Sequence, residues 1–383
     1  MDARTGRRNL ALGLAALSLT GSARGHVAGR ASAQTPADAT PAAAPVHATR
    51  ADPGIGPLRV VAQLTGPDSI NDTFARYAVY GTDLGHSFEY HGELRMVFGD
   101  TFAQDQTDWR SNVMAVISDQ DPRDGLSFDR MIEDTPGHAK ELIAQETVPG
   151  TEVTIIPTYG VAVGDRMVLH YMAVSYWGLP GHWDLSQSGL AYSDDGGENW
   201  TVDPNATWPA DTNFGQVSFV PGAEDGTIHV YGIPGGRFGG VKLARVAETD
   251  LQNLAAWEYW DGSGWVAGDE TAGHEILPAP VGELSVRWNS HYRKWLMMYL
   301  NENRYAIVLR TADELTGPWT DEQVVVTGQD YPALYAPFLL PSWNGGPEVY
   351  FTMSQFGPYE VYLMQTSLLD VQPPAATPIA TPR

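Results

Sequence analysis

The strongest constraint on this chain is a β-hairpin pattern that recurs five times. Short β-type runs come in pairs joined by Gly, Asn or Asp turns. Arg95–Phe102 follows the turn His91-Gly92. Val161–Val163 and Met167–Val174 flank Gly164-Asp165, and Ile228–Gly232 and Val241–Val246 flank a glycine-rich turn. Trp295–Leu300 and Tyr305–Arg310 flank 301–303, and Glu348–Ser354 and Glu360–Gln365 flank Phe356-Gly357-Pro358. Over residues 57–370 this gives five units of about 63 residues. Similar β-units at a fixed period predict an all-β fold, a five-bladed β-propeller. A pair of β-sandwiches is the rival, and five units of one kind argue against it. The units exceed a minimal blade of roughly 40–45 residues, so long loops are expected, and loops gathered on one rim commonly build a site. Helical periodicity shows only briefly, near His138–Gln145.

Ser193-Asp194-Asp195-Gly196-Gly197-Glu198-Asn199-Trp200 fits the Asp-box pattern S-x-D-x-G-x-x-W. Asp195 is expected to cap backbone N–H groups, Gly197 to take an unusual φ and Trp200 to pack between blades. Thr311–Trp319 is a looser version in the fourth unit. The motif marks propellers and does not mark catalysis.

Residues 1–33 read as an export signal. Arg4, Arg7 and Arg8 precede the apolar run Leu10–Thr20, and Ala31-Ser32-Ala33 is a small-residue cleavage site. Arg7-Arg8 permits a twin-arginine route or an ordinary secretory one. Residues 34–56 and 371–383 read as disordered Ala/Pro/Thr segments. The whole chain carries −23 and the signal +4, leaving −27 for the remainder. Such an acidic body repels phosphate backbones and anionic lipid, so nucleic acid is not an expected partner, whereas an uncharged polysaccharide meets no penalty. There is no cysteine, hence no disulfide or thiolate zinc site. No apolar stretch is long enough to span a membrane. The protein is expected to be secreted, monomeric and held together by its core.

The first unit carries the most informative pair. With His91-Gly92 as a two-residue turn, Tyr90 pairs with Glu93 and every cross-strand pair sums to 183, including Asp83 with Asp100. Without a bulge the two would face each other, with Cβ atoms roughly 4.5–5.5 Å apart. Two close carboxylates do not both ionise easily, so one pKa rises and that group can protonate a leaving group while the other serves as base or nucleophile. The bland alternative is a pair of turn-capping aspartates beside glycines.

Gly81-Thr82-Asp83-Leu84-Gly85, Val97-Phe98-Gly99-Asp100-Thr101-Phe102, Asp108-Trp109-Arg110-Ser111-Asn112-Val113 and the Asp-box together resemble the family first catalogued as domain of unknown function 4185, now grouped with glycoside hydrolase family 183, the endo-D-arabinanases. The resemblance spans roughly residues 70–366. It implies a five-bladed propeller that cleaves internal α-D-arabinofuranosyl linkages, with essential acids at the positions of Asp83 and Asp100; a two-carboxylate mechanism requires no metal or organic cofactor.

Further candidates carry two readings each. Glu283, at the start of the fourth unit, is a third acid of the site or a strand-end glutamate. Arg110, Asn112 and Arg237 hydrogen-bond furanose hydroxyls or hold turns. Trp177 stacks on a sugar face or packs between blades, and His86 supports Asp83 from behind. Asp119-x-Asp121-x-x-Asp124-Gly125 misses the calcium-loop rhythm and reads as a solvated turn. Gly235–Gly240 lacks a phosphate-loop lysine, and neither H-E-x-x-H nor G-x-S-x-G occurs. The functional expectation is a secreted endo-acting glycosidase on cell-wall D-arabinan. Its rivals are a sialidase-type propeller, which needs clustered arginines from Arg110, Arg237, Arg287 and Arg304, and a non-catalytic glycan-binding propeller.

Overall fold

A computed structural model describes residues 47–371 apart from 105–107, 147, 149, 225 and 344. The five sequence units are five blades of a β-propeller. Blade 1 is built outward from Gly81–Tyr90 through Glu93–Phe102 and Val113–Ile117 to Arg130–Met131. Blade 2 is Thr154–Val163, Arg166–Trp177, Trp183–Ser193 and Thr201–Pro209. Blade 3 runs from Gln216–Glu224 through Thr227–Ile233 to Gly239–Ala247, whose edge carries Glu258–Trp260 and Glu275–Val281. Blade 4 is Leu284–Asn289, Lys294–Asn301, Ala306–Ala312 and Gln323–Thr327. Blade 5 is Leu334–Leu339, Glu348–Gln355 and Glu360–Ser367, and its outer strand is Arg59–Gln63 from the far end of the chain. That pairing fastens the first described strand to the last blade and closes the ring.

The first strand of each blade lies on the axis and touches the first strands of its two neighbours. The core is correspondingly divided into five apolar layers, one between each pair of blades. Phe88, Met114 and Val116 meet Leu169 and Tyr171 between blades 1 and 2. Leu94, Met96 and Phe98 meet Val361 and Leu363 between blades 5 and 1. A strand in such a stack is buried on both faces, which is why Val113–Ile117 is apolar throughout instead of alternating. Each fully buried Val, Leu or Phe contributes about 1.5–3 kcal/mol.

The Asp-box behaves as its sequence demands. Asp195 accepts from the backbone N–H of Asn199 at 2.9 Å and from Asn199 Nδ2 at 2.8 Å, Gly197 has φ +95°, and the Trp200 indole donates to the Gly197 carbonyl at 3.0 Å. Trp200 packs on the layer between blades 1 and 2. Thr311–Trp319 occupies the equivalent turn of blade 4, with Trp319 against Tyr231.

Two expectations need correction. The stretch near His138–Gln145 is not helical: His138–Ala139 pairs with Glu133–Thr135 and the chain then turns. The only α-helix among the described residues is Thr73–Tyr77. The expected linker also ends earlier than residue 56. Ala48 N–H donates to the Arg304 carbonyl, Asp52 exchanges hydrogen bonds with Val324, and Ile55 is buried beside Leu368. These small and polar residues are held by backbone bonds to blades 4 and 5, which composition does not reveal. The expected signal, 1–33, lies outside the described residues, as do the remainder of the expected linker up to 46 and residues 372–383 of the expected tail. No helix among the described residues is long and apolar enough to cross a membrane.

Candidate active site

The hairpin in blade 1 keeps its expected register at both ends and breaks it in between. Tyr90 pairs with Glu93 and His86 with Val97, and at the other end Thr82 pairs with Thr101 and Gly81 with Phe102. Between them Leu84 pairs with Phe98, one residue out of step, so two compensating bulges flank the acids. Asp83 and Asp100 are therefore not a directly opposed ladder pair. The middle strand is also unpaired on its other side: pairing with the third strand runs to Phe98–Val113 and resumes at Thr101–Arg110, skipping Gly99 and Asp100. Gly99 leaves room for this acid, because a Cβ on it would lie 2.5 Å from Asp83 Oδ1 and displace the carboxyl. The bulges replace the ideal hairpin but keep both carboxyls at the rim where the first strands begin. Asp83 is half-buried and Asp100 buried.

Backbone strain collects at the same place. Leu84 has φ +66°, Ala336 +53° and Tyr359 +60°, a region that L-residues avoid at a cost of about 1–3 kcal/mol each. The first strand of blade 5 bulges between Tyr335 and Phe338. Its Tyr335 hydroxyl donates to Asp83 Oδ2 at 2.9 Å. The hydroxyl of Tyr359 also favours the ionised form of Asp83. These donors do not outweigh burial and the neighbouring charge of Asp100, which push the Asp83 pKa up to about 7. Asp83 Oδ1 is buried with no hydrogen-bond partner. Burial also raises Asp100, to about 6, against two donors on its Oδ1: Thr154 Oγ1 at 2.6 Å and the Trp109 indole at 2.8 Å. Asp100 is thus the better-supported carboxylate and Asp83 the better proton carrier.

Glu283 belongs to this group. It is buried, Arg237 Nη2 lies 2.9 Å from its Oε1, its Oε2 is unpartnered, and its charge adds to the rise at Asp83. Arg237 is held between Glu283 and Glu302, the latter at 3.1 Å, with its guanidinium over the rings of Tyr335 and Trp183. It fixes the wall of the site. At the axis beside these residues a cavity of about 20 Å³, large enough for a water, is lined by Leu84, Thr158, Gln216, Glu283 and Phe338 among others. A roomier groove of about 600 Å³, around Arg166, Asp203 and 248–255, shares no residue with the acids.

The other sequence candidates are placed differently. Arg110 is buried and donates to the carbonyls of Ala78 at 2.7 Å and Ala139 at 3.1 Å. Asn112 is buried with its amide fully engaged: Nδ2 donates to Ile143 and Ile155 carbonyls, and Oδ1 accepts from the N–H groups of Leu142 and Ile143. Both brace the loop behind Asp100, and both are buried, including the unpartnered Nε of Arg110. His86 lies below Asp83 on the same strand, buried, stacked on Tyr159 and edge-on to Phe338. Desolvation, then the charge of Arg287, holds its pKa down at about 3, so it is a neutral imidazole. Trp177 stands at the rim, 39% exposed, edge-on to Trp183. The four arginines a sialidase would converge are scattered: Arg287 sits over Tyr159 near the axis and Arg304 pairs with Glu322.

Sequence reasoning missed Tyr335, Tyr359, Thr154 and Glu141. Glu141 accepts from Ser111 N–H at 2.9 Å and adds its charge to the rise at Asp100. None of these has a local signal, since Tyr335 is 252 positions from the acid it serves. Trp109, within a motif already noted, could have been picked out by its proximity to Asp100.

A five-bladed propeller with buried carboxyls and phenols converging at one rim defines the class. The particular family follows: the chain belongs to DUF4185, the domain of unknown function that matches residues 68–365. It is similar to notoamide biosynthesis cluster protein J of Aspergillus sp. (strain MF297-2), 30% identical over 316 residues, 77% of this chain and 84% of that one. Its counterpart J′ of Aspergillus versicolor is 29% identical over 339 residues, 82% of this chain and 88% of that one. Among solved structures, a presumed hydrolase from Bacteroides ovatus ATCC 8483 superposes with a TM-score of 0.54 at 14% identity, covering 77% of this chain and 87% of that one. The family 117 glycoside hydrolase Zg3597 of Zobellia galactanivorans gives 0.51 at 14% identity, covering 84% and 93%. At these identities the structural likeness is one of fold.

Proposed function

We propose that the protein is an exported glycoside hydrolase that cleaves internal α-D-arabinofuranosyl linkages of cell-wall arabinan. The observation that carries this reading is the pair Asp83 and Asp100, two acids at one open rim with different support. In the proposed reaction Asp83, still protonated near neutrality, gives its proton to the departing glycosidic oxygen. Asp100, ionised and held by Thr154 and Trp109, attacks the anomeric carbon or takes a proton from the attacking water, facing an oxocarbenium-like transition state. Water supplies the hydroxyl of the new reducing end, so no cofactor enters the balance. Glu283 keeps the Asp83 proton in place by its charge. Likeness in fold to a glycoside hydrolase agrees with the reading, as does the acidity of the body, which suits a neutral polymer.

The test is to incubate the protein with purified D-arabinan and separate the products. A ladder of oligosaccharides is expected, and none from Asp83→Asn or Asp100→Asn. Cleavage of a sialoside instead, or glycan binding without new reducing ends from the unaltered protein, would overturn the proposal.

A further inference from the structure

We infer that two aromatic platforms, one on each side of the acid pair, hold a neutral oligosaccharide across the site, so that efficient cleavage needs sugar units bound on both platforms. This rests on the glycosidase reading above and specifies how its substrate is recognised. The observation is the distribution of exposed aromatic rings. Among the described residues they are Tyr80, Tyr176, Trp177, Phe238 and Phe356, between 39% and 69% exposed. All five lie at first-strand starts or in hairpins between second and third strands, hence at the rim that carries Asp83 and Asp100. Among the described residues the opposite rim, with the Asp-box, exposes no Tyr, Trp or Phe ring to this extent. Exposed apolar rings gathered on one face mark a binding surface, and a ring with an apolar face suits the C–H face of a sugar.

Three of these rings, Trp177, Phe238 and Phe356, belong to two packed groups. The first joins blades 2 and 3. Trp177 is edge-on to Trp183, and Phe238 stacks on His182 with centroids 4.3 Å apart. The hairpin 178–182 is closed by Gly178 N–H to the His182 carbonyl, and Arg237 N–H binds the Gly181 carbonyl at 2.9 Å, so the two loops form one surface. The second joins blades 5 and 1. Phe356 is edge-on to Tyr359, Tyr359 packs on Phe102, and Phe102 stacks on Trp109. The two junctions are separated by two of the five blades.

The first group is wired to Asp83 and the second to both acids, since the Tyr359 hydroxyl also hydrogen-bonds Asp83. Trp183 and Tyr335 sandwich Arg237, and Tyr335 binds Asp83. Trp109, at the end of the other chain of rings, binds Asp100. A ligand lying on both surfaces passes over both carboxyls. Asp100, Glu141, Glu283 and Glu302 outnumber Arg237 and Arg110 at this rim, which favours an uncharged chain over an anionic one.

The experiment compares Trp177→Ala and Phe356→Ala with the unaltered enzyme on polymeric arabinan and on the shortest oligosaccharide it cleaves. Phe356 is 69% exposed, so Tm should stay unchanged on its removal, whereas loss of Trp177, 39% exposed and edge-on to Trp183, should lower Tm slightly with unfolding still cooperative, which checks the fold. Each substitution is expected to lower kcat/KM on the polymer by about five- to tenfold more than on the short substrate, and to shift product lengths. Equal losses on long and short substrates, or unaltered products, would overturn the two-platform proposal while leaving the glycosidase reading intact. Independently, arabinan oligosaccharides of increasing length are titrated into Asp83→Asn while tryptophan fluorescence is followed. Affinity that rises with length and drops with Trp177→Ala supports the platforms even if no hydrolysis is found. Affinity independent of length counts against them.

Discussion

Aspartates in glycine-containing motifs stand on both rims of this propeller, and the two rims use them in opposite ways. Asp195, in the Asp-box, accepts from Ser193 Oγ, the Asn199 backbone and the Asn199 amide. Those bonds, the Asn199 side chain first, hold its pKa below the usual carboxylate range. Asp83, on the other rim, is desolvated, faces Asp100 and keeps one oxygen unpartnered, and its pKa rises to about 7. One aspartate is satisfied by its own turn and stabilises it. The other is held in a state the fold does not favour, by residues from other blades. The lesson is that an aspartate set among glycines does not announce its role; burial, nearby charge and the donors that reach the carboxylate decide it.

The largest expected effect breaks the comparison outright. Asp83→Asn or Asp100→Asn should lower arabinan hydrolysis by about 10²–10⁴-fold, measured as reducing ends released, whereas Asp195→Asn should leave the rate unaltered. The reverse holds for stability, where Asp195→Ala should cost about 1 kcal/mol through lost hydrogen bonds, read from denaturant midpoints.

The pH dependence sharpens it. Asp83 binds its proton more tightly in the folded than in the unfolded chain. Folded protein therefore loses stability as pH rises from about 4 to about 7, the interval between the usual carboxylate value and that of Asp83. Asp83→Asn should raise Tm at pH 8 by about 2–4 °C for each kcal/mol recovered, with the gain vanishing near pH 4. Asp195 has the opposite sign: its contribution is present at neutral pH and disappears as pH falls below the ordinary carboxylate range.

Activity should follow a narrow bell, falling above about 7 as Asp83 loses its proton and below about 6 as Asp100 gains one. The smallest effect expected is a displacement of one limb. Trp109→Phe removes a donor from Asp100 and should move the acid limb upward by a fraction of a pH unit, leaving the alkaline limb in place. A shift of the alkaline limb alone would reverse the roles assigned to the two acids.

Much of the fold was legible because blade structure is local. A hairpin is set by its turn residues and by alternation along the strand, so His91-Gly92 fixed the pairing of Tyr90 with Glu93 and the Asp-box fixed its own hydrogen bonds. The same locality made Asp83 and Asp100 visible as a pair. It failed at the step between them, where Leu84 and Gly85 enter left-handed conformations and the ladder slips by one residue and returns. Arg110 and Asn112 looked like sugar-binding groups on chemistry alone. Their fate depended on carbonyls of segments 29 or more positions away.

What the amino-acid sequence determined by itself was one hairpin and its turn in each unit, the number of blades and the placing of two acids on the first hairpin, because each depends on neighbours within a hairpin. Tertiary structure alone decided which oxygen of each acid is partnered, that Tyr335 and Glu283 from distant blades reach Asp83, and that the exposed rings gather on one rim. A carboxyl's protonation depends on desolvation and nearby charge, and both are supplied by whatever the closed ring packs around it.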